Sequence, residues 1–214
     1  MSEQLTDLRS TRNPKARIKI MEGHFATVNS HINTYIDMST VKCRHNNGRE
    51  TARVLAEHFR NNTMVDTIVC LDGTEVIGAF MAEFLSDSGI MSINSGNNIS
   101  IITPDVNAYG QLVFMDSTIR MIKNMQVLVL AASVTTGRTI AQAAEAVSYY
   151  GGTVGGVAAI FSNVEQTPEE MEIFSIFHKE DLPDYQAYQP SECPMCRRKQ
   201  PLDAIVNSFG YSKL

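Results

Sequence analysis

No apolar run in these 214 residues reaches the roughly 20 residues that a membrane-spanning helix needs. The N-terminus, Met1 to Asp7, is polar and lacks the apolar core of a signal peptide. Both absences point to a cytoplasmic protein. There is no excess of basic residues. Lys and Arg number 18 against 23 Asp and Glu, a net charge of −5, so neither nucleic acid nor membrane is an expected partner. Cysteine is scarce. In a reducing compartment the four cysteines are thiols or metal ligands rather than disulfides. Internal repeats and low-complexity stretches are also missing. What remains, with 43% hydrophobic residues, suffices for one domain, 1–214, with a sizeable core.

Periodicity divides the chain. Residues 1–16 are polar, broken by Asn13-Pro14, and read as a loose arm or short helix. Ala52, Leu55, Ala56 and Phe59 recur at helical spacing within a helix expected from Ser39 to Asn62. Val65–Leu71 is a short β-branched strand, and Thr74–Leu85 a helix with one apolar side. Brief strands are expected at Ile90–Ile93, Ile99–Ile102 and Gln111–Met115, then a helix over Ser117–Asn124 capped by Ser117. Strand Gln126–Leu130, helix Arg138–Tyr150 and strands Thr153–Phe161 and Ile173–Phe177 follow. A loop with four prolines then leads to a last segment, Leu202–Phe209. Strands alternating with helices imply a mostly parallel sheet covered on both faces. Ligands of such sheets bind beyond the carboxyl ends of the strands.

The stretch Val127–Ile140 has the most chemical content. Apolar residues fill a strand, and Ser133, Thr135, Thr136, Gly137, Arg138 and Thr139 lie between it and a helix N-terminus. Backbone N–H groups converge in such a turn, hydroxyls add donors, and the helix dipole favours an anion. Gly137 is expected to admit close approach of a phosphate. The turn Leu71-Asp72-Gly73-Thr74 sits at the end of another strand.

The Val127–Ile140 segment resembles the ribose-phosphate motif of the type I phosphoribosyltransferases. Within that family the chain is most similar to orotate phosphoribosyltransferases. Gly23-His24-Phe25, Asn29-Ser30 and Tyr35-Ile36-Asp37 look like their N-terminal signature. Asp66–Val69 with Leu71–Thr74 looks like their pyrophosphate strand and loop. The resemblance implies an α/β type I phosphoribosyltransferase fold with a hood made of 1–45 and 180–214. It implies a base site at Phe25, Asn29 and Ser30, a pyrophosphate loop at Leu71, Asp72, Gly73 and Thr74, and a homodimer. The reaction would transfer phosphoribosyl from phosphoribosyl pyrophosphate to orotate, with Mg²⁺, in pyrimidine nucleotide synthesis. Met115, Ile119, Met121 and Ile122 would suit the dimer contact.

Several departures fall on the chemistry. The family's acidic pair, which grips the ribose hydroxyls, is Ala131-Ala132 here. The segment Ile90–Gln111, where the family carries a basic catalytic loop, has no Lys, Arg or His. The family's N-terminal Lys falls at about Val28. Glu75 would repel a pyrophosphate unless Mg²⁺ intervenes. Two lost carboxylate contacts cost about 3–6 kcal/mol, or roughly two to four decades of affinity. No catalytic residue is therefore assigned, and activity is expected to be weak, altered or lost. The alternative is a non-catalytic regulatory protein that binds a ribose phosphate or nucleotide. Asp105 and Asp116 are candidate replacement acids.

Cys193-Pro194-Met195-Cys196 has the spacing of half a zinc site. Its other ligands would have to come from Cys43, Cys70, His178 or a second subunit. Similar tails occur in some relatives, so the pair is read as travelling with the branch, and no metal ligand is assigned. His24 and His31, in the N-terminal signature, could touch a ligand, but packing or surface placement is the commoner fate of such residues.

Overall fold

In the computed structural model, residues 5–87, 92–182, 184–207 and 209–214 are described. The polar start is a strand rather than a loose arm or helix. β1 (Thr6–Arg9) runs antiparallel to β2 (Arg17–Ala26), with Leu8 opposite Ile18. Pairing is preferred here because it brings Leu8 against the apolar core. β2 turns at Thr27–Ser30 into β3 (His31–Asp37), and its register slips between Glu22 and Phe25.

The helix expected over 39–62 is two helices, α1 (Ser39–Cys43) and α2 (His45–Phe59), with extended Arg44 between them. The break lets α2 pack back on α1. A side chain at Gly48 would lie 2.9 Å from the Val41 carbonyl, so the approach depends on glycine. β4 (Thr67–Cys70), α3 (Glu75–Ser86) and β5 (Ser100–Ile102) follow. Of the strand expected at 90–93, residues 90 and 91 lie outside the described residues, and 92–93 lead into a turn. β6 (Asp105–Val106) and β7 (Leu112–Val113) form a small antiparallel ribbon. Only Asp116–Ile119 is helical (α4), beginning after Met115 without a side-chain cap.

β8 (Gln126–Val134) is longer than its apolar core suggested, because pairing with β9 (Thr153–Ser162) continues to Val134 opposite Ser162. α5 (Arg138–Tyr149) connects them, and β10 (Phe174–His178) closes that edge. The C-terminal segment supplies β11 (Ala187–Tyr188), α6 (Pro194–Arg197) and the hairpin β12 (Ala204–Asn207) and β13 (Gly210–Lys213).

The central sheet runs β10-β9-β8-β4-β5 with every pairing parallel, as expected. Its side chains alternate between two apolar clusters. Ile68, Leu128 and Leu130 pack on one face with residues of α2 and α3. Val69, Val127 and Val129 pack on the other with residues of α5. A second sheet, β11-β3-β2-β12-β13 with β1 on β2, joins the two chain ends. No helix among the described residues is long and apolar enough to cross a membrane.

In chain order the central strands are arranged second, first, third, fourth, fifth. Connections leave β4 and β8 toward opposite edges, so a crevice opens beyond their carboxyl ends. Both loops singled out by sequence lie there.

Leu128 is fully buried at the middle of β8. Leu128→Ala is expected to lower unfolding free energy by about 2–5 kcal/mol in denaturant titration. Tyr149→Ala, at an 83% exposed position, should shift it by less than about 0.5 kcal/mol.

Candidate functional site

The crevice is a cavity of about 330 Å³ at the carboxyl ends of β4 and β8, roofed by the second sheet. The turn 133–139 forms one wall. Thr27–Ser30, Tyr35 and Ile36 form another, and Val206 and Asn207 of β12 complete it. Its inner end is aromatic: Tyr35, Phe161 and Tyr185 all line it, with the last two in edge contact at 5.4 Å. Burial pushes the hydroxyls of Tyr35 and Tyr185 up to about 12, so both stay protonated near neutrality. Tyr35 is raised further by Asp37 and Tyr211.

The turn forms as its residue types dictate. Gly137 takes φ +78°, ψ −6° at the N-cap of α5, a left-handed conformation that glycine adopts without strain. No side chain caps the helix. The N–H groups of a helix's first turn have no intrahelical acceptor, and here they border the cavity. The Asn163 amide donates to the Thr135 carbonyl at 3.3 Å, and the Asn163 N–H to the Val134 carbonyl at 2.8 Å. These two bonds hold the turn from below.

Glycine at 137 also has a packing reason. A Cβ there would lie 3.1 Å from Thr167 Cα and Pro168 Cδ. Gly137 therefore permits the backbone conformation and the packing of the 167–168 loop.

All six residues of the expected phosphate turn line the cavity, as do Asn29 and Ser30. Phe25 does not. It is 1% exposed and packs against Tyr35 in the core. Of the expected pyrophosphate loop, only Asp72 reaches the cavity. Leu71 is buried, and the buried Thr74 hydroxyl bonds the Leu71 carbonyl at 2.8 Å and lies 3.2 Å from that of Leu130. Gly73 takes φ +74° next to the Lys42 ammonium. Glu75 is turned aside, accepting a 2.8 Å bond from the Thr103 hydroxyl.

Ala131 and Ala132 are both buried. Neither expected replacement acid lines the cavity. Among the described residues its lining contains one carboxylate, Asp72, and one cation, Arg138. Asp72 lies in the turn that follows β4 and accepts a hydrogen bond from the Ala132 N–H. An acid thus stands beside the place where the paired acids are missing. Burial raises the Asp72 carboxyl, against the opposing pull of Lys42 and the Ala132 N–H. Lys42 donates to the Asp72 carbonyl at 2.9 Å, and burial lowers its ammonium. Asp72 lies in a segment that sequence had marked, but only strand pairing sets it beside Ala132. Tyr185 and Asn207 carried no sequence signal.

The Cys193–Cys196 pair also has company. The groups that stand beside the pair are His24 and His31 rather than Cys43, Cys70 or His178, and the four potential ligand atoms lie within 4.8 Å of one another.

No protein-family model matches the chain. It is similar to the orotate phosphoribosyltransferase of Chlorobaculum parvum, at 25% identity over 198 residues, 86% of this chain and 88% of that one. One from Chlorobium phaeobacteroides strain BS1 is 27% identical over 188 residues, with the same coverage. Among solved structures, Mycobacterium tuberculosis orotate phosphoribosyltransferase in complex with Fe(III) dicitrate superposes with a TM-score of 0.53 at 18% identity, over 78% of this chain and 93% of that one. The same enzyme in complex with 5-phospho-α-D-ribosyl 1-diphosphate gives 0.51 at 18% identity, over 69% and 82%. The fold is that of the type I phosphoribosyltransferases, and the sequence likeness is to the orotate enzymes.

A carboxyl raised on folding destabilises the fold once the unfolded chain ionises more readily than the folded one. The penalty is absent below the ordinary aspartate range and sets in as pH rises through it toward the raised value. Asp72→Asn is therefore expected to raise Tm at neutral pH. The gain should shrink as pH falls through the ordinary aspartate pKa of about 3.9 and vanish about a unit or more below it, where Asp72 is protonated in both states. A pH series of thermal melts checks this, and a gain of equal size at all pH values contradicts it.

Proposed function

We propose that the chain is a phosphoribosyltransferase-type protein that binds a phosphorylated ribose, phosphoribosyl pyrophosphate or the corresponding nucleotide, in the 330 Å³ cavity. The observation that carries this reading is the uncapped N-terminus of α5 facing one cavity with Asp72, beside the Ala132 N–H. In it the 5′-phosphate takes the N–H and hydroxyl donors of 135–139. Asp72 faces the ribose hydroxyls in place of the missing pair. The base lies toward Asn29, Ser30 and the aromatic end. The relatives named above support orotate as the base.

Mg²⁺ bound with a pyrophosphate needs one or two carboxylates besides the phosphate oxygens. Asp72 meets the lower figure, and with the ion bound the pyrophosphate charge would be partly neutralised. The chain's own contribution to the reaction is then binding and orientation. Asp72 would also hold negative charge near the ribose carbon that becomes cationic. The basic loop that would stabilise departing pyrophosphate is missing, because the sequence from 90 to 111 contains no Lys, Arg or His. Removing one preorganised group of that kind costs about 10²–10³ in rate. That absence favours the second reading, a binding or regulatory protein of the same fold. A cytoplasmic homodimer fits either reading.

Phosphoribosyl pyrophosphate with Mg²⁺, orotidylate and sulfate should each raise Tm in a thermal-shift series. Thr136→Ala should weaken phosphate-bearing ligands by about ten- to a hundredfold. Gly137→Val should weaken them at least as much, by straining the turn and pushing it off Thr167. A wild-type chain indifferent to all three ligands removes the site. Orotate-dependent pyrophosphate release should be very slow or undetectable, and efficient turnover would instead eliminate the binding-only reading.

Ile122 is fully buried core, so a dimer contact can draw only on the remainder of the apolar group, led by Met115 at 51% exposure. Light scattering at micromolar concentration should give twice the 23.7 kDa chain mass. A monomer mass refutes the dimer.

A further inference from the structure

We infer that His24, His31, Cys193 and Cys196 form a closed, four-ligand structural zinc site that fastens the C-terminal segment onto the β2–β3 hairpin.

The four residues come from distant parts of the chain. The register slip in β2 falls between Glu22 and Phe25, and such irregularities redirect side chains. It brackets His24, which is completely buried. His31 opens β3 opposite Ala26. Cys193, also completely buried, and Cys196 flank the start of α6.

The hydrogen-bond pattern assigns the two ring nitrogens of His24 different tasks. Its Nδ1 lies 3.0 Å from the Gln200 carbonyl and 3.2 Å from that of Pro201. A carbonyl can only accept, so Nδ1 is engaged as a donor and Nε2 is the atom available to a metal. Nε2 faces three groups. His31 Nδ1 is at 3.2 Å, Cys193 Sγ at 3.5 Å and Cys196 Sγ at 3.6 Å. Cys196 Sγ is itself 3.2 Å from His31 Nδ1. One ring nitrogen cannot satisfy three neighbours at once, but all four atoms, within 4.8 Å of one another, can share a cation at their centre.

The spacings match zinc. Tetrahedral bonds of about 2.0–2.1 Å to nitrogen and 2.3 Å to sulfur put ligand nitrogens about 3.3 Å apart and nitrogen and sulfur about 3.6 Å apart. Thiolate and imidazole are zinc's preferred donors, and four protein ligands leave no open position, so the site is structural rather than catalytic. The carbonyls at 200 and 201 are the outer partners that orient a ligating histidine. The surroundings reinforce the clamp. The His24 N–H donates to the Asp203 carboxylate at 2.7 Å, and the Asp203 N–H returns a bond to the His24 carbonyl at 2.8 Å. Directly after Asp203, β12 pairs with β2 and brings Val206 and Asn207 to the cavity wall.

Elemental analysis of the full chain, purified under reducing conditions and dialysed against zinc, should find one zinc per chain. Cobalt substitution should give the ligand-field spectrum of a tetrahedral ion with thiolate charge transfer. Cys196→Ser and His31→Ala should each lose the metal and lower Tm by several degrees, whereas Cys43→Ser should change neither. If the variants fail to fold, the wild-type chain decides through alkylation mapped by mass spectrometry. Zinc should protect Cys196, which is otherwise exposed, and a chelator should release it. A chain that takes up neither zinc nor cobalt, full metal content in both variants, or equal alkylation of Cys196 with and without zinc overturns the assignment.

Discussion

Parallel pairing of β8 with β4 is the constraint on which the rest of the molecule depends. It runs from Thr67 opposite Val127 to Cys70 opposite Leu130 and delivers two turns to one place. The 71–74 turn and the 133–139 turn are about sixty residues apart in sequence, yet both border the same crevice. Helices on both faces exclude water from the strands, so their middles are apolar (residues 68–70 and 127–132) and polar groups gather where they end. Burial of Ala131 and Ala132 follows from the same constraint.

The consequence is a candidate anion site with a simplified set of charges. Donors for a phosphate come from backbone geometry: an uncapped helix start and a left-handed glycine braced from behind by Thr167 and Pro168. Backbone donors survive side-chain substitution as long as the turn keeps its shape. Side-chain charges do not, and the paired acids and the basic loop are the features missing here. Under the proposed reading, Asp72 in the turn after β4 partly offsets the first loss. Nothing on 92–111 offsets the second. Binding and turnover are thereby separated physically, since a ground-state phosphate needs the donors and a departing pyrophosphate needs the cations.

The second sheet is less self-sufficient. Its strands come from both chain ends, and β11 and β12 are short. Short strands joined across more than 150 residues gain little from local pairing, and closing such a loop has an entropic cost. The His and Cys cluster lies at this junction, and Tyr35 and Asn207, from opposite ends of the chain, meet in the cavity wall beside it. A site that requires both chain ends benefits from a fastening between them.

The sequence by itself determined the alternation of strands and helices from 65 to 161, the parallel sheet, and the glycine turn before α5. These are local features: hydrophobic period, breakers and hydroxyl-rich turns act within a few residues. It also showed the missing charges, because composition needs no coordinates. Tertiary structure decided which of the marked residues share a cavity. Phe25 and Thr74 carried sequence signals and turned inward, since burial is set by what packs opposite them. Asp72 entered the site because a neighbouring strand placed it beside Ala132. The break at Arg44, the strand at Thr6–Arg9 and the extension of β8 to Val134 each depended on what packs or pairs against them: α1 on α2, β2 on β1, and β9 on β8. His24 and His31 looked like ordinary histidines until a register slip and a folded-back tail set them against Cys193 and Cys196. Spacing along a chain can reveal two ligands on one helical turn, but only the fold can bring the second pair from about 160 residues away.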